Sequence, residues 1–133
     1  MTSMTPFLMF QGGRGREALD FYVATIPGSR IDSMQLFGAE GPGTEGTILR
    51  AHAIIAGQPV MVHDSFIRHG FDFTPSFSFF IECADEAEFD RLFAALSEGG
   101  GVLMPPDNYG WSLKFGWLND RFGVSWQLNL PHP

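Results

Sequence analysis

The hydrophobic pattern of the first half of the chain changes from a short strand to a helix and back to strands. Residues 5–10 form an apolar run entered through Pro6, which is typical of a first strand. Apolar residues then recur at the helical spacing i, i+3, i+4 and i+7, at Leu19, Tyr22, Val23 and Ile26. This spacing predicts a helix over residues 14–26, which ends at Pro27-Gly28.

Three strands are predicted after this helix. The first covers residues 29–37, and a Gly- and Pro-rich loop follows over residues 38–46. The run 47–65 reads as two strands joined around Ala56-Gly57-Gln58-Pro59, which is a hairpin signature. The first half therefore predicts a β-α-β-β-β unit.

The same order is repeated in the second half. Residues 74–83 read as a strand opened by Thr-Pro, and residues 85–98 read as a helix. The helix repeats the earlier spacing with Phe89, Leu92, Phe93 and Leu96. Further strands are expected over three runs, with a loop at 105–110: 102–104, 111–118 and 124–130. An internal repeat of this kind predicts an α+β protein, a single domain over residues 1–133 built from βαβββ modules at 5–64 and 74–130.

One short motif suggests a different fold. Gly13-Arg14-Gly15-Arg16-Glu17-Ala18 has the outline G-x-G-x-x-A, in which glycines let a backbone approach a dinucleotide pyrophosphate. That function requires a doubly wound sheet with many alternating strands and helices, whereas only two helices are predicted here. We therefore assign these glycines to the turn between the first strand and the first helix.

Charge and cysteine content narrow the possible partners. The chain carries 8 Lys and Arg against 15 Asp and Glu, a net charge of -7, which disfavours nucleic acid and anionic membranes. Cys83 is the only cysteine and lies in an apolar run, so we expect a buried, inert thiol. No membrane span or signal peptide is recognisable, and we expect a cytoplasmic protein.

Several segments together resemble the PhnB-like branch of the vicinal oxygen chelate superfamily, which includes glyoxalase I, bleomycin-resistance proteins and extradiol dioxygenases. The segments are TPFLMF, REALDFYVATIPGSRI, GQPVMVHD, PSFSFFIECADEAEFDRLFAALSEGG and, most distinctively, GWLNDRFGVSWQLNLP. Members of this branch are often labelled 3-demethylubiquinone-9 3-methyltransferase-like. The resemblance implies two βαβββ modules that form a cup-shaped mixed sheet.

The resemblance also implies four positions at which metal-binding members carry ligands. In this chain they fall on Phe7, on Met61 or His63, on Ser78 or Phe79, and on Gln127. His63 and Gln127 are at best two weak ligands, too few to hold a divalent ion against water. We therefore expect no catalytic metal and no cofactor.

Two functions remain open from the sequence. The first is a binding module that holds a small molecule with an aromatic part, and its predicted ligand-binding residues are Phe7, Met61, His63, Ser78, Phe80, Tyr109, Trp111, Trp117 and Gln127. The alternative is an enzyme of the superfamily that uses His63 or Tyr109 on an unknown substrate. Methyl transfer is not expected, because the common S-adenosylmethionine domain is a doubly wound sheet. No catalytic set is recognisable, so whether the chain is an enzyme stays open.

A homodimer is expected from the open sheet edges and from the 14 phenylalanines, which are hard to bury in one small chain. Members of the resembled superfamily commonly dimerise. The linker around Arg68, Phe71 and Phe73 is a candidate contact between the two copies, although packing within the chain explains the phenylalanines equally well.

Overall fold

The computed structural model describes all 133 residues, and they divide into two compact units, Met1–Asp72 and Phe73–Pro133. We call these the N-terminal and the C-terminal unit and describe each by itself. That the predicted modules 5–64 and 74–130 make a single domain stays a prediction.

The N-terminal unit contains one helix and one four-stranded sheet. Its elements in chain order are β1 (Phe7–Phe10), α1 (Gly15–Thr25), β2 (Arg30–Leu36), β3 (Ile48–Ile55) and β4 (Gln58–Asp64). The strand order is β1-β4-β3-β2, with β1 parallel to β4 and the other pairs antiparallel. The sheet is therefore mixed and open, with β1 and β2 at its edges.

The C-terminal unit repeats this topology. Its elements are β5 (Phe79–Glu82), α2 (Glu86–Ser97), β6 (Gly101–Asp107), β7 (Lys114–Asn119) and β8 (Ser125–Leu130). The strand order is β5-β8-β7-β6, and β5 is parallel to β8. The predicted α+β fold with two βαβββ modules is confirmed.

The structure corrects three predicted boundaries in the C-terminal unit. Strand β5 begins at Phe79, so residues 74–78 of the predicted strand lie outside it, and residues 111–113 lie outside β7. Strand β6 continues through Pro105 and Pro106 to Asp107, where a loop was predicted. Proline is tolerated there because β6 is an edge strand whose pairing with β7 is irregular between Met104 and Asp107.

Each helix covers one face of its own sheet and forms the core there. In α1, Leu19 and Tyr22 are buried, and α1 contacts β2, β3 and β4. In α2 the four residues of the predicted stripe are all buried, and this helix contacts β7 and β8. We call the covered side of each sheet its helix face and the opposite side its open face. Neither helix is long and apolar enough to cross a membrane.

Candidate functional site

The open face of the N-terminal sheet carries three of the predicted site residues. Phe7 lies beside Met61, and Met9 lies beside His63 in the parallel pair of β1 and β4. The intervening residues Leu8 and Val62 are buried on the helix face. Phe7, Met61 and His63 therefore share one face, and Met61 is the residue opposite Phe7.

The His63 ring is held by one hydrogen bond and by aromatic neighbours. Its Nδ1 lies 2.6 Å from the Leu49 carbonyl oxygen, which can only accept, so Nδ1 carries the proton. The neutral ring then keeps its lone pair on Nε2. The rings of Phe7 and Phe37 each lie 6.1 Å from the His63 ring. The His63 ring is thus held in one orientation beside two aromatic rings.

In the C-terminal unit the strand register distinguishes the candidates left open by the sequence. Phe80 lies beside Gln127, and Gln127 lies beside Trp117 on the other side. Phe79 contacts buried Trp126, with ring centroids 5.1 Å apart, and so belongs to the helix face. The residue of β5 next to Gln127 is therefore Phe80, whereas the sequence left Ser78 or Phe79 open for this position.

Ser78 is linked to this open face by a hydroxyl pair. Its Oγ lies 2.7 Å from Ser125 Oγ, and Ser125 Oγ also accepts a 2.9 Å bond from Trp117 Nε1. These bonds fix the Trp117 indole against strand β8, one step along the face from Gln127. The hydroxyls are occupied by each other and by the indole, so Ser78 serves the structure here.

Four aromatic residues lie together in the C-terminal unit and form what we call the aromatic cluster: Phe80, Tyr109, Trp111 and Phe115. The Tyr109 and Trp111 rings are stacked at 5.5 Å, and both meet Phe115 edge-on. Phe80 lies 6.3 Å from Phe115. Trp111 is 58% exposed and Phe80 52%, so the cluster presents ring surface to solvent.

Tyr109 is less available for chemistry than the sequence suggested. Its hydroxyl donates a 2.6 Å hydrogen bond to the Pro105 carbonyl oxygen, and its ring is stacked on Trp111. A general acid needs that same proton for its substrate. The arrangement indicates that Tyr109 acts as a fixed ring of the aromatic cluster.

Amide residues beside the aromatic cluster were missed by the sequence reasoning. Asn129 is 7% exposed, and its Nδ2 donates to Glu82 Oε2 at 3.0 Å, while its Oδ1 has no partner. Asn119 Oδ1 is likewise buried without a partner. Only the period-2 alternation of β8, which places Asn129 on the face of Gln127, could have identified Asn129 from sequence.

The strands on which the resemblance places metal ligands carry few side chains with strong donor atoms in this chain. The register places Phe7 beside Met61 and Phe80 beside Gln127. Phenylalanine has no donor atom, and thioether sulfur and amide oxygen are weak partners for zinc or similar ions. No group of three or more His, Cys, Asp or Glu side chains is close enough to hold a metal.

The glycine motif lies at the N-terminus of helix α1, where a carboxylate of the chain itself already accepts hydrogen bonds. Gly12 and Gly13 both have φ of 74°, which makes the turn into α1. Buried Asp64 accepts 2.8 Å bonds from the amides of Gly15 and Ile48. A Cβ on Gly15 would lie 2.7 Å from Asp64 Oδ1. The chain's own carboxylate thus takes the place that a phosphate has in a nucleotide-binding turn.

Cys83 has the buried setting predicted from sequence. The residue is buried, and this burial, with the nearby Glu88 carboxylate as a smaller cause, raises the pKa of its thiol to about 11. A thiol with such a pKa is a poor nucleophile at neutral pH.

Comparison with known proteins gives consistent matches over nearly the whole chain. The family model described as 3-demethylubiquinone-9 3-methyltransferase matches residues 2–129. The structure of a PhnB protein from Bacillus cereus is 44% identical, with 97% of this chain and 99% of that chain covered and a TM-score of 0.92. Protein YjdN of Escherichia coli K12 is 26% identical over 142 residues, covering 96% of this chain and 94% of YjdN.

A more distant structure shares the fold alone. A glyoxylase/bleomycin resistance protein/dioxygenase domain from Frankia is 13% identical, with 99% of this chain and 93% of that chain covered and a TM-score of 0.63.

Proposed function

Because this chain belongs to the PhnB-like, 3-demethylubiquinone-9 3-methyltransferase-like family of the vicinal oxygen chelate superfamily, we propose that it binds a small molecule with an aromatic part, without a catalytic metal. The proposed site is the open face of the C-terminal sheet. The observation that carries the proposal is the aromatic cluster, in which the rings of Phe80 and Trp111 are exposed and Phe80 lies beside Gln127.

The chemistry of this face suits a flat ligand. An aromatic ring stacked on Trp111 would gain about 0.5–1.5 kcal/mol beyond the burial of its area. The Gln127 side-chain amide makes no hydrogen bond within the structure, so its donor and acceptor are free to orient a polar substituent. Ser125 holds the Trp117 indole in place, so one wall of the face is formed before binding.

Methyl transfer is not part of the proposal, although the family description contains the word. Each four-stranded sheet has a single parallel pair and one helix. The common S-adenosylmethionine domain instead needs a doubly wound parallel sheet with helices on both faces.

The test is a thermal-shift screen of planar aromatic compounds, followed by calorimetric titration of a hit. We expect Trp111→Ala to weaken binding about fivefold or more, because one stacking partner is lost. The matched control is Phe77→Ala, which removes an aromatic ring that is 61% exposed and lies outside the aromatic cluster. Equal weakening by both variants, or no stabilising compound in the screen, would contradict the proposal.

A second candidate function is an enzyme that uses His63 as a base, and the hydrogen bond from Nδ1 to Leu49 favours it. This bond leaves the lone pair on Nε2 for a substrate proton. Nitrogen-detected NMR should show the Nδ1–H tautomer for His63, whereas exposed His52 serves as the unconstrained reference. An Nε2–H tautomer at His63 would remove this candidate.

The predicted absence of metal and the homodimer are proposals with separate tests. Elemental analysis of the purified protein should find no stoichiometric divalent ion, and a chelator should leave the melting temperature unchanged.

Support for the dimer comes from edge strand β6, on which Val102 and Leu103 are exposed apolar residues. Light scattering should give twice the chain mass of 14.7 kDa, and a 14.7 kDa species would contradict the dimer.

A further inference from the structure

A cavity lies in the N-terminal unit, at the ends of the parallel strands β1 and β4. It is a cleft of about 670 Å³, and its walls are Gln11–Gly12, which follow β1, and residues 65–72, which follow β4. Its volume falls within the usual range for small-molecule sites. Ligands commonly bind beyond the carboxyl ends of parallel strands, because the loops there converge.

Side-chain hydrogen bonds hold the wall of this cleft in one shape. The Gln11 amide makes two bonds across the cleft, accepting from His69 N at 2.7 Å and donating to the Phe71 carbonyl oxygen at 2.7 Å. Ser65 Oγ donates to the Ile67 carbonyl oxygen at 2.6 Å and accepts from Ile67 N at 3.1 Å. The loop is therefore preorganised, which lowers the entropy lost when a ligand binds.

The Ser65 bonds also determine which His69 nitrogen acts as a donor. His69 Nε2 lies 3.2 Å from Ser65 Oγ, whose own proton is given to Ile67. Nε2 must then be the donor, and Nδ1 is left without a partner in the structure. The His69 ring stacks on Phe71 at 4.8 Å, which fixes its plane.

Arg68 is an unpaired cation in this lining. Four of the 8 basic residues of the chain form ion pairs, namely Arg14, Arg16, Arg30 and Lys114. Arg91 and Arg121 have other interactions, which leaves only Arg50 and Arg68 without any. Asp72, the one carboxylate in the lining, is not paired with Arg68. Arg68 thus has no carboxylate partner, although the chain carries 15 Asp and Glu.

We propose that this cleft binds a small organic anion, a carboxylate or phosphate group attached to an apolar body. The Arg68 guanidinium offers paired N–H donors that match the oxygens of either group. Phe66 and Phe71, both exposed, supply the surface for the apolar part. All residues of this cleft belong to the N-terminal unit, and the proposal goes beyond the proposed function.

The test uses phenylphosphate and benzoate as organic anions and inorganic phosphate as the bare anion, each titrated by calorimetry. The backbone amides of Gly12 and Gly70, which line the cleft, are followed by NMR in the same titrations. We expect saturable binding of at least one organic anion, with inorganic phosphate weaker. The comparison of phenylphosphate with benzoate identifies whether the phosphate or the carboxylate is preferred.

Two variants that each remove one positive charge distinguish specific binding in the cleft from general electrostatic attraction of the anion. Arg68→Gln should weaken binding about tenfold or more, because a charge-assisted pair is lost. Arg50→Gln removes the other unpaired arginine, on β3 and outside the lining, and should change binding less than about twofold. Trp111→Ala should leave the shifts of Gly12 and Gly70 unchanged, which makes the outcome independent of the aromatic cluster.

Three results would overturn the anion site. The first is no saturation by either organic anion at about 10 mM, which corresponds to negligible affinity. The second is equal weakening by Arg68→Gln and Arg50→Gln. The third is a change of molar mass in Arg68→Gln, which would place Arg68 in a contact between two chains.

Discussion

The N-terminal and C-terminal units share one topology but hold their helices in different ways. In the C-terminal unit, Asp85 accepts from Glu88 N at 2.8 Å, and Glu88 accepts from Ala84 N at 3.1 Å, so the helix is capped by its own first residues. In the N-terminal unit, Arg14 makes no side-chain cap, and the carboxylate of Asp64 arrives from the end of β4. The same architecture is therefore stabilised by a local device in one unit and a long-range one in the other.

This difference explains the glycine motif. A local cap places no demand on the helix residues that follow it, whereas the Asp64 carboxylate must approach the α1 backbone closely. Gly15 permits that approach because a Cβ there would lie 2.7 Å from Asp64 Oδ1. A motif typical of nucleotide binding thus arises here from an internal carboxylate.

The open faces of the two sheets also differ. In the N-terminal sheet the face carries Arg50, His52 and His63, which are cationic or able to become so. In the C-terminal sheet it carries amides, Glu82 and the aromatic cluster. The repeated fold therefore carries two chemically different surfaces.

The largest expected effect is on stability when the two helix anchors are removed. Asp64→Ala should lower the free energy of unfolding by about 3 kcal/mol, because two buried N–H groups lose a charged acceptor. Asp85→Ala, the matched change in the C-terminal unit, should cost about 1 kcal/mol as an exposed cap. Urea unfolding measures both, and a larger loss in Asp85→Ala would contradict the comparison.

Substitution of Gly15 tests the close approach itself. Alanine normally favours a helix over glycine by about 1 kcal/mol. Gly15→Ala should instead destabilise by about 2 kcal/mol, since its Cβ displaces the Asp64 carboxylate. The control is Gly101→Ala in β6, where a Cβ meets nothing within 4 Å and the change should stay within about 0.5 kcal/mol. If Gly15→Ala stabilised the protein, the Asp64 carboxylate could move away from the new Cβ without cost, which would contradict the prediction.

A smaller effect is expected from Cys83 in the C-terminal unit, which has no thiol counterpart in the N-terminal unit. Burial raises the pKa of this thiol from its ordinary value of 9.0 to about 11, so folding favours the protonated form. The stability from this group is complete below pH 9.0 and is lost as the pH rises toward 11.

The variant Cys83→Ala isolates this contribution. Between those pH values its stability should fall less steeply than that of the wild type when both are unfolded in urea. Equal slopes, or alkylation of native Cys83 by iodoacetamide at pH 8 as fast as in urea, would contradict the buried thiol.

The sequence predicted the repeat and both helices because their apolar spacing is regular and both stripes are buried. It did not predict that β6 includes Pro105 and Pro106, since proline reads as a loop until the strand is known to be an edge. It also left the position on the fifth strand open between Ser78 and Phe79, whereas the residue paired with Gln127 is Phe80. A shift of one residue reverses the face of a side chain, and only the pairing with β8 fixes the register.

The candidate site was predictable only in part for the same reason. The aromatic residues were visible as residue types, but the contact of Trp111 with Phe115 depends on a loop that has no periodic pattern. Asp64 and Arg68 stand out only after the structure shows which groups have partners. The hydrogen-bond and ion-pair partners of a side chain often lie far away along the chain, so a single sequence does not reveal them.

The most direct test of the proposed function is an NMR titration with an aromatic compound from the screen, observed at the three indole N–H groups and the Gln127 side-chain amide. Trp111 and Trp117 lie on or beside the proposed site, whereas buried Trp126 donates to Asp120 Oδ2 and serves as the internal reference. The account predicts saturable shifts at Trp111 and Gln127 with Trp126 unchanged. Shifts confined to the N-terminal unit, or of equal size at all three indoles, would contradict binding on the open face of the C-terminal sheet.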